Sequence, residues 1–227
     1  SMKQEKRKYQ RVESKYTVNI FQQLKYNLKR SFQNIAGDSA FTVIQVVAAV
    51  SQALVVGSLY WNTPETVGGA FSRGGVIFFS VLYMSLTGMA EISNAFGARP
   101  ILMKQSNYKL YHPSMYALAD SISFIPVSIV TNIAFCIILY FLANLKREAG
   151  KFFTFLLFSN LVSLAMNYLF KATAAWNKTI AGANAVGGVF ILAALMYSSY
   201  MIQRPSMHPW FKWISYINPV LYGFEAM

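Results

Sequence analysis

The chain has 227 residues, of which 55% are apolar and only 12% charged, with a net charge of +12. A soluble domain carries about 25% charged residues, so this balance excludes an ordinary globular protein. The basic residues lie between apolar runs rather than interleaved with polar ones, which excludes a nucleic-acid surface; one cysteine (Cys136) and two distant histidines exclude a disulfide framework or metal centre.

Nine of the twenty Lys and Arg fall in the first thirty residues. Residues 1–18 read as a polar, basic, cytosolic linker arm, with no apolar core of a signal peptide directly after it. Over 19–37, Phe21, Leu24, Leu28, Phe32 and Ile35 recur at spacings of three and four and share one face. Lys25, Lys29, Arg30 and Gln33 fall largely opposite. This predicts an amphipathic helix in the membrane interface; a surface helix packed on a neighbouring domain has the same pattern.

Five long apolar segments follow, at about 40–60, 74–94, 117–142, 152–170 and 180–202. A helix needs about 20 residues, at 1.5 Å each, to cross a ~30 Å hydrocarbon core. Glu91 and Asp120 are the only charges within these runs, each near an end. Turn residues separate the runs: Trp61-Asn62-Thr63-Pro64, Arg99-Pro100, Asn144 to Lys151 and Thr173 to Thr179. Residues 203–227 are broken at Arg204-Pro205, His208-Pro209 and Asn218-Pro219 and crowded with Trp210, Phe211, Trp213, Tyr216 and Tyr222. Such a tail suits an interfacial or re-entrant segment. With the amino terminus inside, inner segments hold fourteen basic residues and outer segments six, so the arm is expected in the cytosol. The margin comes from the arm, and Lys146-Arg147 runs against it.

No phosphate-binding loop is present: Gly68-Gly69, Gly74-Gly75 and Gly187-Gly188 lack the following lysine. Neither a zinc-protease motif nor a nucleophile elbow occurs, so no enzymatic site is expected in this chain. Glu91 and Asp120 are expected in ion pairs, because a bare acid in lipid costs at least ~2.5 kcal/mol. Small residues recur every four positions at Ala49, Ala53 and Gly57, at Ala181 and Ala185, and at Ala183 and Gly187, the pattern of closely packed membrane helices. Gln45 and Gln52 lie seven apart, on one face expected against protein or a polar cavity. Phe79, Tyr83, Leu86 and Thr87 share a face of the second run; Gly188, Ile191, Leu192, Leu195 and Ser199 share one of the fifth. These stripes fit the walls of an apolar pocket or plain helix packing, and periodicity does not separate the two. Asn177-Lys178-Thr179 matches a glycosylation sequon, expected unused on the cytosolic side.

Several stretches together resemble a known family. They are Gly74-Gly75-Val76-Ile77-Phe78-Phe79; Arg99-Pro100-Ile101-Leu102-Met103-Lys104-Gln105 with Tyr111-His112-Pro113; and the tail from Tyr200-Met201-Ile202-Gln203-Arg204-Pro205 through Trp213 to Asn218-Pro219 and Tyr222-Gly223-Phe224-Glu225. The chain beyond residue 20 closely resembles the first transmembrane domain of fungal pleiotropic-drug-resistance ABC transporters. The resemblance implies an all-α membrane protein, an ABCG-type (ABC-2) transmembrane helical bundle with an amphipathic connecting helix. It also implies a sixth span, before which this sequence ends, and a second transmembrane domain. Nucleotide-binding domains holding ATP and Mg are implied outside this sequence.

Carried onto this sequence, the resemblance puts Phe79, Tyr83, Leu86, Ile191, Leu192 and Leu195 along a substrate cavity, to which Gln45 and Gln52 are added. It places an outer gate at Tyr200 and Met201 and a coupling loop at Arg99, Lys104, Tyr108, Tyr111 and His112. It joins Glu91 in a polar network with the connecting helix, through Arg30 or Lys29. The function implied is ATP-driven export of apolar xenobiotics across the plasma membrane. A lipid or sterol translocator of the same architecture is the alternative. An ion-coupled carrier is a third reading, which needs ionisable residues near mid-span.

Overall fold

A computed structural model describes Tyr16, residues 18–61, Thr63, 67–146 and 148–227. Most of the basic arm expected at 1–18, Asn62 and Pro64 of the first turn, and Arg147 lie outside the described residues. Among the described residues there is no strand.

Helix α1 (Ile20–Gly37) starts after Asn19, a residue type favoured at that position, whose side chain accepts from the adjacent Ile20 amide. It is followed by α2 (Ser39–Leu59), α3 (Val67–Thr87), α4 (Ala90–Asn107), α5 (Pro113–Leu142), α6 (Ala149–Trp176) and α7 (Ile180–Met196). The tail forms two 3-10 turns, Arg204–Ser206 and Pro209–Phe211, then α8 (Lys212–Ile217) and α9 (Pro219–Ala226). Four stretches are long and apolar enough to cross a membrane: Ser39–Leu59, Gly69–Asn107, Pro113–Leu142 and Ala149–Trp176. Ile180–Met196 is a shorter apolar helix.

Three helix boundaries differ from the sequence expectation. The run expected at 74–94 is a helix from Val67 that breaks at Gly88-Met89 and resumes as α4. Gly88 faces Phe170, whose ring would lie 2.9 Å from an added Cβ, so the close approach requires glycine. The run expected at 152–170 continues through Lys171 to Trp176; an ion pair described below removes the reason for a charge to end it. The run expected at 180–202 ends at Met196. Ser199 adopts a left-handed backbone (φ 67°), and Asn218 caps the freed carbonyls.

The chain divides into two compact units, one comprising residues up to Thr42 with Phe96–Val127, the other Val43–Ala95 with Ser128–Met227. In the first, α1 buries the amides Gln23 and Asn27 while Ile20, Phe21, Tyr26 and Phe32 stay exposed. The second has a core of Ala49, Ala53, Val56, Val76, Met84, Phe135, Cys136, Leu139 and Phe155. The small-residue row of α2 packs here: Ala49 and Ala53 are fully buried, and a Cβ on Gly57 would overlap Leu142. On α7, Ala183 and Gly187 are buried whereas Ala181 and Ala185 are exposed, so only one of the two expected rows makes contacts.

Helix α6 shows the polarity of the second unit. It buries Ser159, Asn160, Ser163, Asn167 and Thr173 beside Phe155, Val162, Met166, Phe170 and Ala174, and it exposes Phe153, Leu157 and Leu161. Large apolar side chains on the exterior suit lipid rather than water, and in lipid polar groups must find partners inside the protein. They do: Asn132 Nδ2 donates to Asn160 Oδ1 at 3.3 Å, and Asn160 and Asn167 each donate to a backbone carbonyl one turn back, at 2.8 Å.

Candidate functional site

In the first unit, the turn joining α4 to α5 is built by local chemistry. Lys104 lies in the last turn of α4, where a cation complements the helix dipole. Lys109 closes the helix in a left-handed conformation (φ 54°), and its amide reaches the Ser106 carbonyl at 2.8 Å. His112 Nδ1 accepts from the Ser114 amide at 3.3 Å, and Pro113 occupies the first position of α5, where no amide hydrogen is needed.

Helix α1 is tied to this turn by two glutamines. Gln105 Oε1 accepts from Arg30 Nη1 at 3.0 Å and from the Tyr111 hydroxyl. Gln23 Oε1 accepts from the His112 amide at 2.9 Å while its Nε2 donates to the Val18 carbonyl at 2.8 Å. Burial pushes the Tyr111 phenol above its ordinary value of 10, an effect partly offset by the Arg30 charge and hydrogen bond. Of the residues expected in the coupling loop, Tyr111 is buried and stacked on Tyr116, and Arg99 lies 3.8 Å over the Phe96 ring. Lys104, Tyr108 and His112 are exposed, beside exposed Ile101, Met103 and Leu110.

In the second unit, Glu91 occupies the first turn of α4, where the dipole favours an anion. The sequence expectation joins Glu91 to Arg30. Within its own unit, Glu91 pairs with Lys171 of α6, whose Nζ lies 3.3 Å from Glu91 Oε2, and Asn94 Nδ2 donates to Glu91 Oε1 at 3.1 Å. Within the first unit, Arg30 donates to Gln105. No spacing rule could have found Lys171, which reaches Glu91 from another helix.

The residues expected along a cavity divide. Phe79, Leu86 and Leu192 are exposed, and Gln45, Gln52 and Leu195 are half-buried. Tyr83 stacks on Phe135 with centroids 4.6 Å apart, and Ile191 is buried. Tyr83 and Ile191 therefore hold helices together, while Phe79 and Leu86 present an apolar surface on α3 and Leu192 on α7.

At the expected gate, Tyr200 is half-buried and Met201 exposed. Tyr200 stacks on Phe78 at 4.5 Å and on Phe71 at 5.8 Å, and meets Phe224 edge-on at 5.6 Å. Gly74 and Gly75 form the floor, since a Cβ on either would lie about 3.5 or 3.4 Å from its ring or hydroxyl. The Tyr60 hydroxyl borders Gly75, and its ring lies 6.0 Å from Phe79. Sequence reasoning missed Phe71, Phe78 and Phe224, although two of them stand within the motifs quoted. These glycines lie inside a helix, with their amides committed to its hydrogen bonds, so they do not fit a nucleotide phosphate. Among the described residues no group of three or more His, Cys, Asp or Glu could hold a metal ion.

Long apolar helices, an apolar exterior and an interior whose buried polar groups are paired within the protein define a multi-pass, all-α membrane domain. The ABC-2 type transporter family matches residues 22–227, and the chain belongs to that family. It is 48% identical over its whole length to Protein SNQ2 of Saccharomyces cerevisiae. It is 51% identical, again over its whole length, to the ABC transporter ATP-binding protein/permease PDR18 of the same yeast. Over 97% of its length it is 38% identical to ABC multidrug transporter C of Aspergillus fumigatus. It spans 15%, 17% and 15% of these relatives, respectively.

Proposed function

We propose that this chain is the substrate-translocating membrane domain of an ATP-driven exporter of apolar xenobiotics, set in the plasma membrane with its amino terminus in the cytosol. The observation that carries the reading is the uncharged surface that Phe79, Leu86 and Leu192 present on α3 and α7, together with the aromatic cluster around Tyr200. Aromatic and aliphatic walls suit ligands of mixed shape, with Gln45 and Gln52 as polar handles. The names of the relatives, two of which are called multidrug or ATP-binding permease proteins, support the same class.

In this reading ATP and Mg are held by nucleotide-binding domains elsewhere in the parent protein, and a second transmembrane domain completes the pathway. Exposed Ile101, Met103, Lys104, Tyr108 and Leu110 give the coupling turn an apolar, basic surface for a nucleotide-binding domain. The Gln23 and Gln105 ties pass its displacement to α1, whose exposed apolar residues lie at the membrane interface. Tyr200 and Met201 close the outer end until ATP binding opens it. Glu91 meets a lysine, which argues against a proton-coupled role for that acid.

The test is ATP-dependent transport by the full-length protein in proteoliposomes, using an apolar fluorescent dye and a labelled phospholipid side by side. Dye export that falls at least threefold in Phe79→Ala and Leu192→Ala supports the reading. Lipid transfer without dye export would replace it with a lipid translocator, and dye transport independent of ATP would overturn both.

A further inference from the structure

We propose that Asn218 is the positioning residue of the gate: one buried amide fixes both the end of α7 and the start of α9, and so sets Tyr200 in its stack. The inference rests on the reading of Tyr200 as a gate.

Helix α7 stops short of the expected run, and its terminal carbonyls need donors. Asn218 Nδ2 supplies them, donating to the Ala194 carbonyl at 2.7 Å and the Tyr197 carbonyl at 3.0 Å. The other half of the same amide turns the opposite way: Oδ1 accepts from the Val220 amide at 3.0 Å and caps α9. Asn218 is only 4% exposed, so water cannot replace these bonds readily. An amide is the one neutral side-chain group with both donor and acceptor arms on a planar fork. Serine keeps the acceptor that caps α9 but cannot reach two carbonyls with paired donors.

The geometry downstream is narrow. Tyr200 follows the capped end by three residues, just after the left-handed Ser199; it stacks on Phe78 from α3 and meets Phe224 from α9 edge-on. Its partner from α9 is thus anchored by the same asparagine that anchors the chain leading into it. A shift of α9 relative to α7 would separate Phe224 from Tyr200, and Gly74 and Gly75 leave the ring a slot to move along. Arg204, whose guanidinium lies 3.4 Å from Glu225 and 5.3 Å over the Tyr222 ring, ties the following loop to α9 independently.

The test uses the full-length transporter, with Asn218→Ser as the main variant and Asn218→Asp as a second that also keeps the cap of α9. A cysteine pair, Phe78→Cys with Tyr200→Cys, is introduced for oxidative crosslinking. The inference expects crosslink yield to fall by about threefold or more in the Asn218→Ser background, the scale of one or two lost hydrogen bonds. In proteoliposomes, dye transport per ATP hydrolysed falls by a similar factor while ATP hydrolysis itself is kept. That loss disappears when Asn218→Ser is combined with Tyr200→Ala, because residues acting through one another are not additive. An unchanged crosslink yield overturns the inference, as does a transport loss that adds fully to that of Tyr200→Ala. If Tyr200→Ala alone leaves transport intact, the gate reading fails, and the crosslink still decides whether Asn218 places Tyr200.

Discussion

Glu91 and Lys171 face each other within the second unit, the acid 5% exposed and the lysine side chain 17%. Removing one member of a buried pair leaves a charge without its counter-ion and costs about 3–5 kcal/mol. Glu91→Gln and Lys171→Met should each lower the thermal midpoint of the detergent-solubilised parent protein by several degrees. The double variant should regain much of the loss, because neither charge is then left alone. Glycines give a sharper contrast. A Cβ on Gly223 would overlap Val162, whereas one on Gly97 would meet nothing within 4 Å. Gly223→Ala is expected to destabilise by about 1–3 kcal/mol through overpacking. Gly97→Ala, inside α4, is expected to stabilise by roughly 0.5–1 kcal/mol through helix propensity. Thermal unfolding of the two variants side by side checks the sign of each.

The attachment of α1 to the α4–α5 turn depends on the acceptor at residue 105. Gln105→Leu removes the partner of Arg30 and of Tyr111 together, so α1 should loosen and amide exchange along it should rise. Gln105→Glu offers the same two donors a stronger acceptor and should keep α1 in place. The Tyr111 phenol adds a pH dependence. Its folded value lies above the ordinary 10, so the folded state holds the proton more tightly than the unfolded chain. That contribution to stability is complete below pH 10 and is lost as pH rises through the raised folded value. Between pH 9 and 11 the wild type should therefore lose more of its thermal midpoint than Tyr111→Phe, which cannot titrate. If the two fall in parallel, the phenol carries no such linkage.

Helical faces were legible in the sequence wherever a residue type settled them alone: Ala49 and Ala53 are buried as their spacing implied, and the apolar residues of α1 are distinct from its amides. What the sequence could not show was who meets whom. Lys171 for Glu91, Arg30 for Gln105, and Ala194 and Tyr197 for Asn218 come from other elements, at sequence separations that periodicity does not reach. The end of α7 was hidden for a related reason, since Tyr197 to Ile202 read as apolar while a distant asparagine and a left-handed serine decide the backbone. That asparagines and serines share the buried face of α6 with phenylalanines, while other phenylalanines and leucines lie outside, was legible only in composition until that face was seen.

The apolar exterior carries a last prediction about the whole molecule in lipid. Its tryptophans are Trp61, Trp176, Trp210 and Trp213. Trp61 follows the end of α2, Trp176 is the last residue of α6, and the other two lie in the tail beyond α7. All four are exposed, and none falls in the middle of a long apolar helix. Indole rings favour the boundary between headgroups and acyl chains, so these four should sit in that boundary while the aliphatic residues between helix ends contact hydrocarbon. In reconstituted vesicles of the chain expressed by itself, brominated lipids should quench its fluorescence most when bromine lies near the headgroup, and least when it lies near the bilayer centre. Strongest quenching from the bilayer centre would put the helix ends in hydrocarbon, which exposed Glu148 and its partners Lys146 and Lys151 could not tolerate. The same vesicles test the scale of the apolar exterior: surfaces such as Val47, Val55, Leu161 and Val189 require lipid or detergent, and the chain should aggregate when either is withdrawn.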